Sequence, residues 1–197
     1  MINEDLLEKY GANTKTLEKM EVIFHEGSKA NFYYQIIKGK VKMSYYNESG
    51  DEFVLGIFSD KESFGEPPLF GEFDYPANAE TVDKTTLYVL SYEKLLNLLK
   101  DNFEVHLSIT SNLSKRIAYK SFMMKEIAVY DPEHRVLSLI DYFKSNINIE
   151  SDVIFKIPFT RQQIANMTGL SVETVIRVTK KLEQKDLIKI IKGKIYR

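Results

Sequence analysis

Residues Thr160 to Glu183 read TRQQIANMTGLSVETVIRVTKKLE, and their spacing predicts two helices around a tight turn. Thr160 suits the N-cap of a first helix running from Arg161 to about Met167, because its side-chain oxygen can accept a hydrogen bond from a first-turn amide. Ile164 supplies an apolar contact, and Ala165 is small enough for a second helix to come close. Gly169 falls where the chain must turn sharply, a place that favours positive φ. Ser171 then caps a second helix whose Val175, Val178 and Leu182 share one face. The opposite face carries Glu173, Arg177, Lys180 and Lys181. These intervals are those of a helix-turn-helix, whose second helix is free to enter a DNA major groove. Two amphipathic helices joined by a glycine also occur in other all-α proteins. There Glu173 and Arg177 would be an exposed i,i+4 pair contributing about 0.3–0.5 kcal/mol.

Charge favours the nucleic-acid reading. From Lys156 to Arg197 there are ten Lys or Arg against three Asp or Glu, whereas residues 1–100 hold eleven against seventeen. A net charge of −1 over 197 residues therefore hides a basic C-terminal end, as expected of a surface that meets phosphates. The chain has no cysteine, which excludes disulfides, zinc fingers and cysteine-ligated iron–sulfur clusters. The N-terminus has no basic-then-apolar leader, and no apolar run approaches a bilayer's thickness. The expectation is a cytoplasmic protein with no membrane partner. No nucleophile–base pair, metal-ligand cluster or Gly-rich phosphate loop points to an enzyme.

Upstream, residues 3–10 and 14–19 read as short helical pieces. From Glu21 the texture changes to VIFHEG and FYYQIIKGKVKMSYYNESGDEFVLGIF, short strands rich in Tyr, Phe, Ile and Val and punctuated by turns. Another strand follows at Thr86–Leu90. The expectation is a small antiparallel roll. Within it, Ser63-Phe64-Gly65-Glu66-Pro67-Pro68 is either a plain turn or the start of a short helical turn facing an anionic ligand. Tyr75 to Glu80 lead on to that strand.

Ser91–Leu99 reads as a short helix with Leu95, Leu98 and Leu99 inward. Asp101 is expected to cap a far longer one ending near Val129. Phe103, His106, Thr110, Leu113, Ile117, Lys120, Met124 and Ile127 recur along it at alternating three and four, a heptad-like seam. A helix about 40 Å long at 1.5 Å per residue outruns its own small domain, so a parallel pair across a two-fold axis is expected. Asp131-Pro132 suits an N-cap and first turn and marks a hinge. A helix over 132–145 follows, with Val136, Leu139, Ile140 and Phe143 on one side. Residues 146–152 read as a loop and 153–157 as a short strand. Two strands around Lys192-Gly193 complete a basic wing. The fold class is α+β, with a roll over 1–100, a dimerisation helix and hinge over 101–130, and a winged helix-turn-helix over 131–197.

In this order the parts resemble the bacterial cyclic-AMP-receptor and fumarate-nitrate-reduction regulator family of transcription factors, over essentially the whole chain. The matching pieces are HEG and KGKVK in the roll, Phe64-Gly65-Glu66, the long helix, the hinge at Asp131 and TRQQIANMTGLSVETVIR. The resemblance implies a homodimer on double-stranded DNA with a pseudo-palindromic operator, and an RNA polymerase contact if it activates. It places base reading on Val172, Glu173, Ile176 and Arg177. Glu173 would accept from a cytosine amine and Arg177 fork onto guanine. Phosphate contacts are expected from Thr160, Arg161, Ser171, Lys180, Lys181, Lys192 and Lys194. Phe103, Thr110, Leu113, Ile117, Met124 and Ile127 form the dimer seam.

The implied effector pocket comprises Phe64, Gly65, Glu66, Ala77, Asn78, Lys120 and Ser121. Cyclic-AMP-binding members carry an arginine where Ala77 stands and a Thr-Ser pair where Lys120-Ser121 stands. Losing the partner of a buried phosphate costs about 2–5 kcal/mol, so cyclic AMP is not the expected effector. No cofactor is expected: an iron–sulfur cluster lacks its cysteines, and His25, His106 and His134 read as surface or seam residues rather than haem ligands. Another small anion, or no effector, is the preferred expectation; cyclic AMP or a related nucleotide on Gly65 and Glu66 is the alternative.

Overall fold

The computed structural model describes residues 1–50, 52–145 and 154–197, and the chain divides into two compact units, Met1–Arg116 and Ile117–Arg197. The first contains α1 (Glu4–Lys9), β1 (Asn13–Leu17), β2 (Val22–Phe24), β3 (Phe32–Lys38), β4 (Val41–Tyr46), β5 (Glu52–Phe58) and β6 (Ser63–Phe64). After these come α2 (Glu66–Gly71), β7 (Asn78–Thr81), β8 (Thr85–Ser91) and α3 (Tyr92–Asp101). The strands form two four-stranded antiparallel sheets, ordered β1-β8-β3-β6 and β2-β7-β4-β5.

Strand β3 explains the packing. Side chains alternate faces along a strand, yet FYYQIIK is apolar on both. Tyr34 and Ile36 join Leu17, Phe24, Val41, Phe64, Tyr75, Ala79 and Leu87 in one cluster. Tyr33, on the other face, joins Leu7, Leu69, Tyr88, Leu90, Leu95, Leu98 and Ile109 in a second. Helices cover that second face, so the strand is buried on both sides. Gln35, on the Tyr33 face, is buried with its polar groups satisfied. Its amide donates to the Ile2 carbonyl at 2.9 Å, while its Oε1 accepts from the Ile2 amide at 3.1 Å and the Tyr33 hydroxyl at 2.8 Å.

Two expectations about this unit are corrected. Residues 13–17 are a strand and not a helical piece, pairing with β8 from Asn13↔Val89 to Leu17↔Thr85. The β-branched Thr14 and Thr16 favour an edge strand, and the Thr16 and Thr86 hydroxyls meet at 3.0 Å. Asp101 does not cap the long helix. It ends α3, where its carboxylate accepts from the Tyr10 hydroxyl at 2.7 Å. The Asn102 carbonyl instead accepts the first amides of α4 (Phe103–Val129), those of Val105 and His106.

Helix α4 runs from the first unit into the second, which continues with α5 (Pro132–Ser145), α6 (Arg161–Thr168), α7 (Val172–Gln184), β9 (Lys189–Ile191) and β10 (Lys194–Tyr196). Val136, Leu139 and Ile140 of α5, Ile164 and Ala165 of α6, and Val175, Val178 and Leu182 of α7 are buried. Aromatic rings extend this packing to α4, with Tyr119 4.7 Å from Tyr142 and Phe143 4.6 Å from Phe159. Instead of a strand over 153–157, an isolated bridge joins Lys156 to Tyr196. Phe155 and Arg197 exchange backbone hydrogen bonds, and the Ile157 amide donates to the Ile195 carbonyl of β10. Val153 and the loop expected over 146–152 lie outside the described residues.

Candidate nucleic-acid interface

The helix-turn-helix forms as its local chemistry dictates. The Thr160 hydroxyl accepts from the Gln163 amide at 3.1 Å, and Gln163 Oε1 accepts in return from the Thr160 amide at 2.9 Å. This reciprocal box satisfies two first-turn donors. Gly169 ends α6 at φ 66°, the left-handed geometry anticipated there. Ser171 Oγ accepts from the Thr174 amide at 3.2 Å and starts α7. The side-chain oxygens of Thr160 and Ser171 therefore cap helices, and the Thr160 amide is taken up by Gln163.

Glu173, Ile176, Arg177 and Lys180 are exposed on α7, and Val172 is half-buried. Among the described residues neither Glu173 nor Arg177 forms an ion pair. They are thus not an intrahelical pair, and their donors and acceptors stay open to a partner. Lys181 differs. Its ammonium lies 2.7 Å from Glu133 of α5, and Lys185 meets the same carboxylate. That contact holds the Lys181 ammonium above the usual lysine range and the Glu133 carboxyl below the carboxylate range. Lys192 in the wing turn and Lys194 just after it are both exposed. Arg161 Nη1 donates to the Gly193 carbonyl.

At the start of α5, Asp131 Oδ1 accepts from the Glu133 and His134 amides at 2.8 and 3.0 Å. These bonds, His134's first, hold its carboxyl below the usual range. The His134 ring stacks on Tyr130 at 4.0 Å, and its Nε2 stands 3.1 Å from the buried Glu126 carboxylate.

The seam residues on α4 divide. Phe103, Ile117 and Met124, separated in turn by fourteen and seven residues, are 64%, 65% and 70% exposed, and Thr110 is exposed midway between the first two. Exposed apolar side chains recurring at heptad spacing are the pattern of a helix that packs on a second helix. Leu113 departs from this, since it packs partly buried on the core of its own unit. Ile127 is half-buried as well. Leu107 and Val129 are exposed instead, and the seam spacing had passed over both.

Inside the roll, Phe64 and Glu66 are buried and Gly65 adopts φ 73°. Arg116 Nη1 meets Glu66 Oε2 at 2.8 Å, and Nη2 donates to the Ser63 carbonyl. The guanidinium also lies 4.9 Å from the Phe58 ring centre. Phe24 and Tyr75 stack at 3.6 Å. A Cβ on Gly65 would sit 3.1 Å from Phe24 and 3.3 Å from Tyr75, so glycine is required by both its φ and this close approach. The Tyr75 hydroxyl is buried with no hydrogen-bond partner among the described residues, and burial pushes its pKa well above the usual tyrosine range. Ala77 is fully buried, and Asn78 accepts from the Glu26 amide at 3.1 Å. Lys120 and Ser121 stand exposed on α4, in the second unit. The sequence reading missed Arg116, Phe24 and Tyr75. Its one available signal was that Arg116 is the first arginine in the chain.

A family model of the cyclic nucleotide-binding domain matches residues 14–102, and one of the Crp-like helix-turn-helix domain matches residues 134–196. The cAMP-activated global transcriptional regulator CRP of Haemophilus influenzae is 32% identical over 169 residues, 84% of this chain and 75% of that one. The chain belongs to the Crp/Fnr family. The global nitrogen regulator of a Nostoc species is 26% identical over 92% of this chain and 83% of its own. The fold is that of the c-di-GMP responsive regulator CLP of Xanthomonas campestris, with a TM-score of 0.76 at 24% identity over 98% of both chains. As a Crp/Fnr member the protein is a DNA-binding transcription regulator. Among the described residues no helix is long and apolar enough to cross a membrane.

Proposed function

We infer that this Crp/Fnr regulator works as a homodimer, joined along the exposed α4 stripe, that sets two α7 helices into successive major grooves of a two-fold symmetric operator. Glu173 and Arg177 read bases, Val172 and Ile176 make apolar contacts, and Lys180, Lys192 and Lys194 meet phosphates. RNA polymerase is the further partner where it activates. The observation that carries this reading is the unpaired Glu173–Arg177 face of α7. Selection of bound sites from a random duplex library tests it. A two-fold symmetric half-site containing a G·C pair is expected; an asymmetric or sequence-indifferent pool would sink it.

Three features support an effector other than cyclic AMP, or none. Ala77 offers no charge to a cyclic phosphate. Glu66 already has a cationic partner in Arg116. The Phe24–Tyr75 stack fills the space against Gly65. The alternative, a cyclic nucleotide on Gly65 and Glu66, is favoured by the cAMP-activated relative. Calorimetry separates them: no heat with cyclic AMP at millimolar concentration is expected, and micromolar binding would decide for the alternative.

A further inference from the structure

The wing is too small to hold its own shape. Each of its strands has three residues, paired Lys194↔Ile191, Ile195↔Ile190 and Tyr196↔Lys189, and an isolated two-stranded hairpin is marginal at best. Its turn is Lys192-Gly193, with φ 46° and 75°. Two positive φ values in a two-residue loop match the right-handed twist of the strands. A lysine at the first of them is nonetheless strained, and such strain persists only where the surroundings enforce it.

The base of the wing is well fixed. Glu183 Oε1 accepts from the Ile190 amide at 2.8 Å on the outer strand. Arg197 reaches both oxygens of Asp141 at 2.7 and 3.2 Å, and Phe155 and Ile157 pair along β10. The tip is fastened differently. Among the described residues, the side chain bonded to the turn is that of Arg161, the first residue of α6, which donates Nη1 to the Gly193 carbonyl across 32 residues of sequence. That bond consumes one of five guanidinium donors and none of the charge.

We propose that Arg161 is a positioning residue for DNA binding: it clamps the wing turn to the start of α6, so that Lys192 and Lys194 are presented to the backbone in a fixed place. It is not simply one more phosphate contact. This rests on the reading that the wing lysines meet phosphates, and the two ideas fail differently.

Amide exchange on the free full-length protein tests the clamp without DNA. In Arg161→Gln, exchange at Ile191 and Lys194, the pair that closes the hairpin, should quicken by about tenfold or more. Amides of α6 and α7 should keep their protection and so report an intact fold. Unchanged exchange at the tip would overturn the proposal.

The salt dependence of operator binding then tests the consequence. On the natural wing, Arg161→Gln should shallow the slope of log K against log salt by about three, because three cations lose register. With Lys192→Gln and Lys194→Gln already present it should cost about one. An equal loss of about one in both backgrounds makes Arg161 an independent contact and overturns the proposal. If exchange quickens while the wing lysines prove irrelevant to the slope, the clamp stands and their phosphate role falls.

Discussion

The exposed face of α7 and the interior of the roll treat charge in opposite ways. On α7, Glu173 and Arg177 lie exposed and, among the described residues, form no ion pair, so a partner can take their charges without first breaking one. In the roll, the buried Glu66 carboxylate is held by Arg116, and the stacked Phe24 and Tyr75 rings lie against Gly65. A ligand there must displace what is present. The lesson is that one Crp/Fnr chain can leave charged groups open on a helix face while the charged group beside Gly65 is satisfied from within.

The largest break in that comparison should come from Arg116→Ala. It leaves Glu66 buried and unpaired and strips a cation from the Phe58 ring, costing on the order of 3 kcal/mol of stability. Replacing both partners, Glu66→Gln with Arg116→Met, should recover most of it. Denaturant unfolding measures both, and an unaltered midpoint in the single variant would show that the pair holds nothing.

On the other side of the comparison, Arg177→Ala should leave stability within about 0.5 kcal/mol. It should cost about 1–3 kcal/mol of binding on operator while sparing random duplex. Equal losses on the two duplexes in a titration would make Arg177 a phosphate contact. Thr160→Ala, which removes half of the capping box at the start of α6, should cost about 1 kcal/mol of stability and much less specificity than Arg177→Ala.

What the sequence revealed, and what it hid, follows the same division. Caps, glycine turns and face periodicity are local, so Thr160, Gly169, Ser171 and Asp131 could be read directly, as could the helix faces they organise. The strand at 13–17 was misread because only Leu17 of its residues is buried, which leaves no alternation to see. Asp101 looked like a cap, but its carboxylate was needed by Tyr10, 91 residues away in sequence. Arg116 and Tyr75 escaped for the same reason: their partners are set by tertiary packing, and no spacing encodes it. Lys181 and Lys180 are neighbours with identical side chains. The position of Glu133 on α5 tethers Lys181 and not Lys180.

That difference gives finer tests. Lys180→Gln should shallow the operator salt slope by about one, while Lys181→Gln should change it less and loosen the α5–α7 contact instead. The Glu133 carboxyl is held below its ordinary value by Lys181 and Lys185. Its contribution to stability is therefore present above the unfolded value of 4.5 and lost as pH falls through the lower folded value. Glu133→Gln should flatten that acid limb. A pH–stability curve identical to that of the natural chain would show the tether to be idle.

The central claim is that two α7 helices, joined through α4, read one symmetric site. The most direct test is a hydroxyl-radical footprint on a selected operator, for the natural chain and for a chain with charge placed on the seam, Ile117→Glu with Met124→Glu. The natural chain should protect two half-sites about one helical turn apart, and the seam variant should lose both together while its isolated fold persists. A single protected half-site, or full symmetric protection by the seam variant, would contradict the account.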